Sequence, residues 1–429
     1  MRILLTGANG FLGAHILAGL LRRGHAVVAA VRDPARLRRQ VPGAEAIACD
    51  FNRDIDPAVW LPRVAGIEAV VNCAGVLQSA PGQSIRAIHV DAPKALFDAC
   101  RQAGVRKVVQ ISAVGVDPPA DTLYAQTKKA GDDHLKTLDL DWVILRPSLV
   151  YASGTWGGTS LMRGLAALPC VLPLVGDGSQ PFRPLHVDDL VETVVRVLEQ
   201  PDHVRQIIEV VGPERLTLRD ILLKLRAWLG FAPARALQVP VGLIEPLARI
   251  GDLFGGPLSS TSLRQMQAGA AGDWPDGQFE RRLGFRPRTM DESLADTPAQ
   301  IQDRWHARLY FLRPVLRIVL AGYWAAFGAD RLLALLQVDR SGPPIPSDLM
   351  IRPVAYGAIC VMISALILIG WRPRLMAAIQ ILITFVPLPF ILIEFFSWSL
   401  LLWTVPSSIL AALPLALAIW IWAILEEGR

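Results

Sequence analysis

Gly7, Gly10 and Gly13 stand three residues apart, directly after the apolar run RILLT. Glycine is a poor helix former, so three of them where a helix opens signal a backbone requirement. A strand that turns sharply into a helix has that requirement. Gly7 permits the tight turn, Gly10 lets the backbone approach a pyrophosphate with no Cβ in the way, and Gly13 lets the helix lie close to the sheet. Asn9, Phe11 and Leu12 complete the bend, and the leading N–H groups of the helix face the anion. A second pair with chemistry is Tyr124 and Lys128, four residues apart and therefore on one helical face. A phenol titrates near about 10, too high for neutral acid–base work. A nearby ammonium and an oxidised nicotinamide ring stabilise the phenolate. The tyrosine then exchanges a proton with a hydroxyl or carbonyl while a hydride passes to or from the cofactor.

The elements that must position these residues are readable. RILLT, AVVAAVR, AEAIACD, EAVVNCAG, RKVVQIS and DWVILRPSLVY read as six strands. Helical stretches such as FLGAHILAGLLRRG, with Leu12, Ile16, Leu20 and Leu21 on one stripe, lie between them. Strands apolar on both faces, alternating with helices, predict a Rossmann-type, doubly wound parallel sheet. From about residue 153 the pattern is less regular. IIEVVG reads as a further strand, and TLRDILLKLRAWLG as an amphipathic helix opened by a threonine cap. These predict a small lobe that completes a first domain over 1–303, with AGAAGDWPDGQ as an exposed loop.

The 429 residues exceed one typical domain. Of them 52% are hydrophobic and 19% charged, and the charge is concentrated before Arg317. Beyond 304 four apolar runs follow. They begin at LYFLRPVLRIVL, PVAYGAICVM, LMAAIQILITF and SLLLWTVPSSIL. A bilayer core needs about 20 apolar residues per helix, so 304–429 is expected to be an all-α, four-helix transmembrane domain. Pro387, Pro389, Pro406 and Pro414 are tolerated between packed membrane helices. Arg304, Arg308, Arg313 and Arg317 fall on the same side as Arg372 and Arg374, which sets that side as cytoplasmic. Arg331, Arg340 and Arg352 in the opposite loop run against that orientation. Trp371, Trp398 and Trp403 fit an interfacial belt, and Glu394, beside Phe395 and Phe396, is expected at the outer interface. The expected location is a bacterial-type inner (cytoplasmic) membrane, with several spans and the nucleotide domain in the cytoplasm.

The net charge of +5 comes from scattered arginines, which argues against nucleic acid as a partner. Cys49, Cys73, Cys100, Cys170 and Cys360 form no CxxC pair and no metal spacing; they read as small interior residues of a reducing compartment. MRILLTGANG reads as a strand and turn, not a secretory leader. The second strand ends AVRDP. Arg32 holds the position where an acidic residue would read a ribose 2′-OH and an arginine accommodates a 2′-phosphate. Arg32, with Arg36 beside it, therefore favours NADP, NAD being the alternative.

TGANGFLG resembles the fingerprint of extended and atypical short-chain dehydrogenase/reductases, the group that includes sugar-nucleotide epimerases. NCAG (Asn72, Cys73, Ala74, Gly75) is similar to the family's NxAG, and YAQTK to its YxxxK. RPSLVY and PLHVDDL look like strand and helix-start motifs of atypical members. The resemblance covers roughly 1–300, and proteins related to the nucleotide-binding accessory subunit of mitochondrial complex I look most similar. LRPVLRIVLAGYWAAFGA resembles a DoxX-like four-helix membrane domain. The family resemblance implies that Asn72, Ala74 and Gly75 line the cofactor cleft, that Asp50 contacts the adenine amine, and that Lys128 also holds the nicotinamide ribose. It also implies a Ser or Thr past the fifth strand, donating to the substrate oxygen. Ser112 is the candidate, although family serines often lie where this chain has Ala113 and Val114; either Ser112 serves or the site is incomplete. His186 in PLHVDDL is expected to order the turn before a helix that Asp188 caps.

Two functions remain open. One is a membrane-anchored NADP-dependent oxidoreductase or epimerase acting on a lipid, isoprenoid or quinone-like substrate. The other is a non-catalytic, cofactor-binding accessory or assembly subunit of a respiratory-type membrane complex.

Overall fold

The computed structural model describes residues 1–80, 82–117, 121–254, 259–272, 278–334, 347–385 and 407–426. The chain divides into two compact units, Met1–Ala307 and Arg308–Arg429.

The first unit opens with β1 (Arg2–Thr6), α1 (Phe11–Arg22), β2 (Ala26–Val31), α2 (Pro34–Gln40), β3 (Glu45–Ala48), α3 (Pro57–Val64) and β4 (Ala69–Asn72). A π-helical turn, Ala87–Asp91, runs into α4 (Ala92–Ala103), followed by β5 (Lys107–Ile111), α5 (Leu123–Thr137) and β6 (Asp141–Pro147). Then come β7 (Val150–Tyr151), α6 (Gly158–Ala166), β8 (Val171–Val175), β9 (Pro181–Phe182), β10 (Leu185–His186), α7 (Val187–Glu199) and β11 (Gln206–Val210). The remainder is β12 (Leu216–Thr217), α8 (Leu218–Trp228), β13 (Arg235–Val239), α9 (Val241–Phe254), α10 (Ser260–Ala268), α11 (Gln278–Leu283), α12 (Met290–Asp296) and α13 (Ile301–Leu309).

Seven strands form one sheet in the order β11-β6-β5-β4-β1-β2-β3, every pair parallel. Its central strands are buried: Ile3, Leu4 and Leu5 of β1 and Val70 and Val71 of β4 are fully enclosed. Alternate side chains feed two cores. One face packs Ile16, Leu17 and Leu20 of α1 with Leu190, Val194 and Val197 of α7. The other packs Trp60 of α3 with Leu96 and Phe97 of α4. Gly19 is the contact point of α1 with α7, since a Cβ there would lie 2.2 Å from Val191 Cγ1. The α1 stripe is thus Gly13, Ile16, Leu17 and Leu20. Leu21, expected on it, is exposed, because the helix meets α7 through Gly19 and turns its neighbour outward.

Two other expectations change. DWVILRPSLVY is not one strand: it breaks after Pro147, where the Ser148 N–H donates to the Val210 carbonyl, and β7 pairs instead with β10. IIEVVG does not belong to the small lobe; as β11 it extends the main sheet beside β6. The lobe has its own core, built on Leu172, Leu174, Phe182, Ile221 and Leu222. Its helix α8 opens with a full capping box, Thr217 and Asp220 bonding reciprocally, as the threonine predicted. Cys49, Cys100 and Cys360 are buried and Cys73 is partly buried, but Cys170, expected inside, is exposed. The loop AGAAGDWPDGQ runs through 273–277, outside the described residues.

The second unit contains α14 (Leu312–Ala334), α15 (Ser347–Ile369), α16 (Pro373–Phe385) and α17 (Ser407–Glu426). Leu320 and Trp324 of α14, Cys360 and Ile363 of α15, Met376 of α16 and Ile419 and Trp422 of α17 share its core. Inside it, Trp324 Nε1 donates to Gln380 Oε1 at 2.9 Å. Glu426 accepts from Arg313 and Arg317. Among the described residues no single helix is long and apolar enough to cross a membrane; the bent pair Ile301–Leu309 and Leu312–Leu333 passes that test jointly. Pro387, Pro389, Glu394, Phe395, Phe396, Trp398, Trp403, Pro406 and Arg340 lie outside the described residues.

Candidate cofactor and active site

Sheet order reverses direction between β1 and β4, so a crevice opens at their carboxyl ends. The glycine bend forms one wall. Gly7 has φ +66°, and a Cβ on it would meet the Cys73 carbonyl carbon and oxygen at 2.9 Å. The Gly10 N–H donates to the Gly7 carbonyl at 2.9 Å. A Cβ on Gly13 would stand 2.1 Å from that same oxygen. No side chain caps α1, so its leading N–H groups are left for an anion. Asn9 is exposed on the bend, and Phe11 and Leu12 are half-buried behind it. This cradle, closed to side chains and lined by unclaimed N–H groups, fits a dinucleotide pyrophosphate.

At the end of β2, Arg32 is exposed. Asp33 beside it caps α2, its Oδ1 accepting from the Arg36 N–H at 2.9 Å. After β3, the Asp50 carboxylate accepts from the backbone and side-chain nitrogens of Asn52 at 3.0 and 3.1 Å. Burial opposes its charge, but those bonds and the Arg53 and Arg32 guanidiniums hold the carboxyl below its ordinary range.

Asn72 is fully buried and belongs to a polar ladder across three strand ends. It accepts from Thr6 Oγ1 and donates to Gln110 Oε1 at 2.7 Å. It therefore supports the crevice floor from below; Ala74 and Gly75, in the loop that follows, are the more accessible residues of the motif. That loop is clipped to α5 by His89. The Val76 N–H donates to His89 Nε2 at 3.1 Å, and His89 Nδ1 lies 2.9 Å from Thr127 Oγ1. Thr127 Oγ1 gives its own proton to the Leu123 carbonyl at 2.7 Å, so His89 Nδ1 carries the hydrogen. Burial, then the Lys128 charge, push the imidazole down to about 2 and keep it neutral.

Tyr124 and Lys128 stand on one face of α5, which starts at the Thr122 cap. The Tyr124 ring meets His89 edge-on, centroids 5.5 Å apart. Lys128 is 5% exposed. Its Nζ donates to the Ile111 carbonyl at 2.9 Å and would lie 3.1 Å from a Cβ on Gly75. The lysine is thus at the crevice floor, where only a glycine leaves room above it. Burial, and secondarily the Asp132 carboxylate, raise the Tyr124 phenol to about 12. The phenol therefore carries its proton throughout the neutral range.

Ser112 is buried, and its Oγ donates to Asp132 Oδ2 at 2.6 Å. A hydroxyl has one proton to give, so in this arrangement Ser112 serves Asp132 and not a substrate oxygen. Asp132, fully buried on α5, was not singled out in the sequence, although its spacing of four from Lys128 signals the shared face. Arg146 Nη2 approaches it at 3.6 Å while bonding Asp117. Thr6, Gln110, His89 and Arg146 carry no such local signal, because only the sheet and the loop after β4 bring them together.

His186 itself caps α7, its Nδ1 accepting from the Asp188 N–H at 3.3 Å. The expected cap, Asp188, lies in the first helical turn. Arg288 Nη2 lies 2.9 Å from the same nitrogen. Burial, then Arg288, lower this histidine to about 4, so it holds the turn as a neutral acceptor.

Fold and crevice together define a dinucleotide-binding domain of the Rossmann type. The profile of the NAD(P)H-binding family matches residues 7–163. A 3-diazoavenalumate denitrifying reductase from a Streptomyces species is 30% identical over 46% of this chain and 72% of its own length. A ceramide reductase of Caulobacter vibrioides is 29% identical over 46% of this chain. The mitochondrial NADH-ubiquinone oxidoreductase 40 kDa subunit of Neurospora crassa is 22% identical over 57% of it. The chain spans 61% and 64% of the lengths of these last two. Among solved structures, MoeE5 in complex with UDP-glucose and NAD covers 72% of this chain and 99% of its own, with a TM-score of 0.53 at 21% identity, a likeness of fold. The chain belongs to the NAD(P)H-binding, short-chain dehydrogenase/reductase-like family, and its cofactor is an NAD(P).

Proposed function

We propose that this protein is a membrane-anchored, NADP-dependent reductase of a carbonyl on a lipid-like substrate. The observation that carries the reductase reading is the placement of Tyr124 and Lys128 on one face of α5, with Lys128 Nζ at the crevice floor between the Ile111 carbonyl and Gly75. When bound, the cofactor supplies or accepts the hydride; the chain's own residues seat it, exclude side chains from the pyrophosphate, and present the phenol proton. A reductase at 29% identity that is named for ceramide supports a lipid carbonyl over a sugar nucleotide.

Membrane anchoring rests on the second unit. Its outward side chains are apolar: Ile318, Leu382, Leu417 and Trp420 are each more than 60% exposed, while its polar Trp324–Gln380 bond is enclosed. Large apolar side chains on the outside as well as in the core suit a lipid surround, as does the resemblance to DoxX-like sequences. Arg313 and Arg317 at the start of α14 and Arg372 and Arg374 of the α15–α16 turn support a cytoplasmic side for the nucleotide unit, with Arg331 at the other end of α14 counting against it. Purified in detergent, the full chain should carry NADP(H) and oxidise NADPH with a long-chain ketone or quinone. Extraction of the intact chain from cells by carbonate washing would overturn the anchoring, and absence of bound or bindable nucleotide the reductase.

NADP selection rests on Arg32, since the Asp33 carboxylate beside it is engaged as a helix cap. One charge-assisted contact to a phosphate contributes about 1.5–3 kcal/mol. Arg32→Glu should therefore weaken NADPH binding by roughly 10- to 100-fold and leave NADH unaffected or tighter, measured by nucleotide fluorescence. Equal losses for both nucleotides would assign Arg32 no part in the choice.

A second reading is a cofactor-stapled accessory subunit of a membrane complex. The 22% identical relative, itself an NADH-ubiquinone oxidoreductase subunit, favours it. It predicts bound nucleotide without turnover.

A further inference from the structure

Tyr124, Lys128 and Asp132 recur at every fourth residue of α5, which stacks them along one face. The last is fully enclosed; Lys128 beside it is 5% exposed. Asp132 takes the Ser112 hydroxyl on Oδ2 at 2.6 Å, and its Oδ1 is buried with no partner among the described residues. Ser112 directly follows Ile111, whose carbonyl receives Lys128 Nζ at 2.9 Å. Two adjacent residues at the end of β5 are therefore bonded to two adjacent turns of α5, one through a cation and one through an anion. We propose that Asp132 is a positioning residue for cofactor binding: the buried counter-charge that keeps the Lys128 ammonium seated at the crevice floor, with Ser112 as the tether that keeps the carboxylate in place.

The surroundings leave that role to Asp132. Asp132 on α5 and the Cys73 thiol after β4 act on Lys128, the neutral His89 on the π turn lies beside it, and Tyr124 shares its helical face. Burial raises the Asp132 carboxyl, and the Ser112 bond, Lys128, Arg146 of β6 and, last, Lys136 oppose that rise and favour its anion; Asp117 bonds Arg146 and is more than half exposed. Without Asp132 the patch holds two enclosed cations and one outlying carboxylate. Burial alone drives the lysine towards its neutral form, and Asp132 is the largest influence opposing it. An unpaired enclosed ammonium loses its proton more readily.

This inference rests on the NAD(P)-binding reading, and its test separates the two. NADPH affinity of the detergent-purified full chain is measured by fluorescence from pH 6 to pH 10. Affinity falls as rising pH neutralises Lys128. Asp132→Asn keeps an oxygen to accept from Ser112 and removes only the charge. It should move the midpoint of that fall down by about one pH unit or more. Ser112→Ala, which keeps the carboxylate but removes its tether, should move the midpoint in the same direction by a smaller amount. An Asp132→Asn profile superimposed on the wild type overturns the role. If Asp132→Asn loses its cooperative melt, Asp132→Glu and Asp132→Gln repeat the comparison at matched size; a lower midpoint for Gln supports the role, and coincident midpoints overturn it. A wild-type chain that binds no NADPH at any pH overturns the cofactor reading itself.

Discussion

Tyr124→Phe lowers the rate of carbonyl reduction by about 10²- to 10⁴-fold, the usual yield of a positioned proton donor, while NADPH affinity stays within about twofold. The reason lies in what the substitution removes. The ring still packs edge-on against His89, and Lys128 keeps its own anchor on the Ile111 carbonyl. Only the phenolic proton is lost. Because burial raises this phenol to about 12, the donor form is present throughout the neutral range. With NADPH kept saturating, the wild-type rate is then flat in pH around neutrality and declines as pH climbs towards the phenol's own value. Single-turnover measurements with NADPH and a lipid ketone check both statements. Unchanged turnover in Tyr124→Phe removes the acid role, and bound nucleotide with no turnover in either protein selects the accessory-subunit reading.

Gly13→Ala abolishes nucleotide binding and lowers stability, whereas Gly10→Ala harms binding with a smaller effect on the melt. The Gly13 Cβ would sit 2.1 Å from the Gly7 carbonyl oxygen, and the Gly10 Cβ 3.2 Å from it. At the first distance backbone must move, since no flexible side-chain end is there to yield. Overpacking of this kind costs about 1–3 kcal/mol, and the displaced group is the bend that shapes the cradle. Gly10 is different: its missing Cβ leaves room for the ligand. Calorimetric Tm together with NADPH titration separates the two. Equal melts for both variants would contradict the assignment of Gly13 to helix packing.

The residues of the cradle were legible because their requirements are local. A positive φ at Gly7, a close approach at Gly13 and a helix face shared by Tyr124 and Lys128 each follow from a few neighbouring positions. The alternating apolar strands likewise define the parallel sheet without reference to distant residues. The same holds for the Thr217 cap of α8. What Ser112 does was not legible, because its partner is twenty residues away across the β5–α5 contact. Nor was the direction in which the Tyr124 phenol shifts, which depends first on how deeply α5 is packed and then on the Asp132 carboxylate.

His186 shows the same division on a small scale. PLHVDDL announces a helix start, yet whether His186 or Asp188 caps it depends on the backbone angle at each residue. Arg288, a hundred residues further on, then closes over the histidine. The sequence alone determined the cofactor bend, the doubly wound sheet and the apolar character of the last third. Tertiary structure alone decided where β11 joins, which way Ser112 turns, and that burial raises the Tyr124 phenol. Periodicity and turn chemistry act over a few residues, whereas desolvation and hydrogen-bond partners are set by whatever the fold brings alongside.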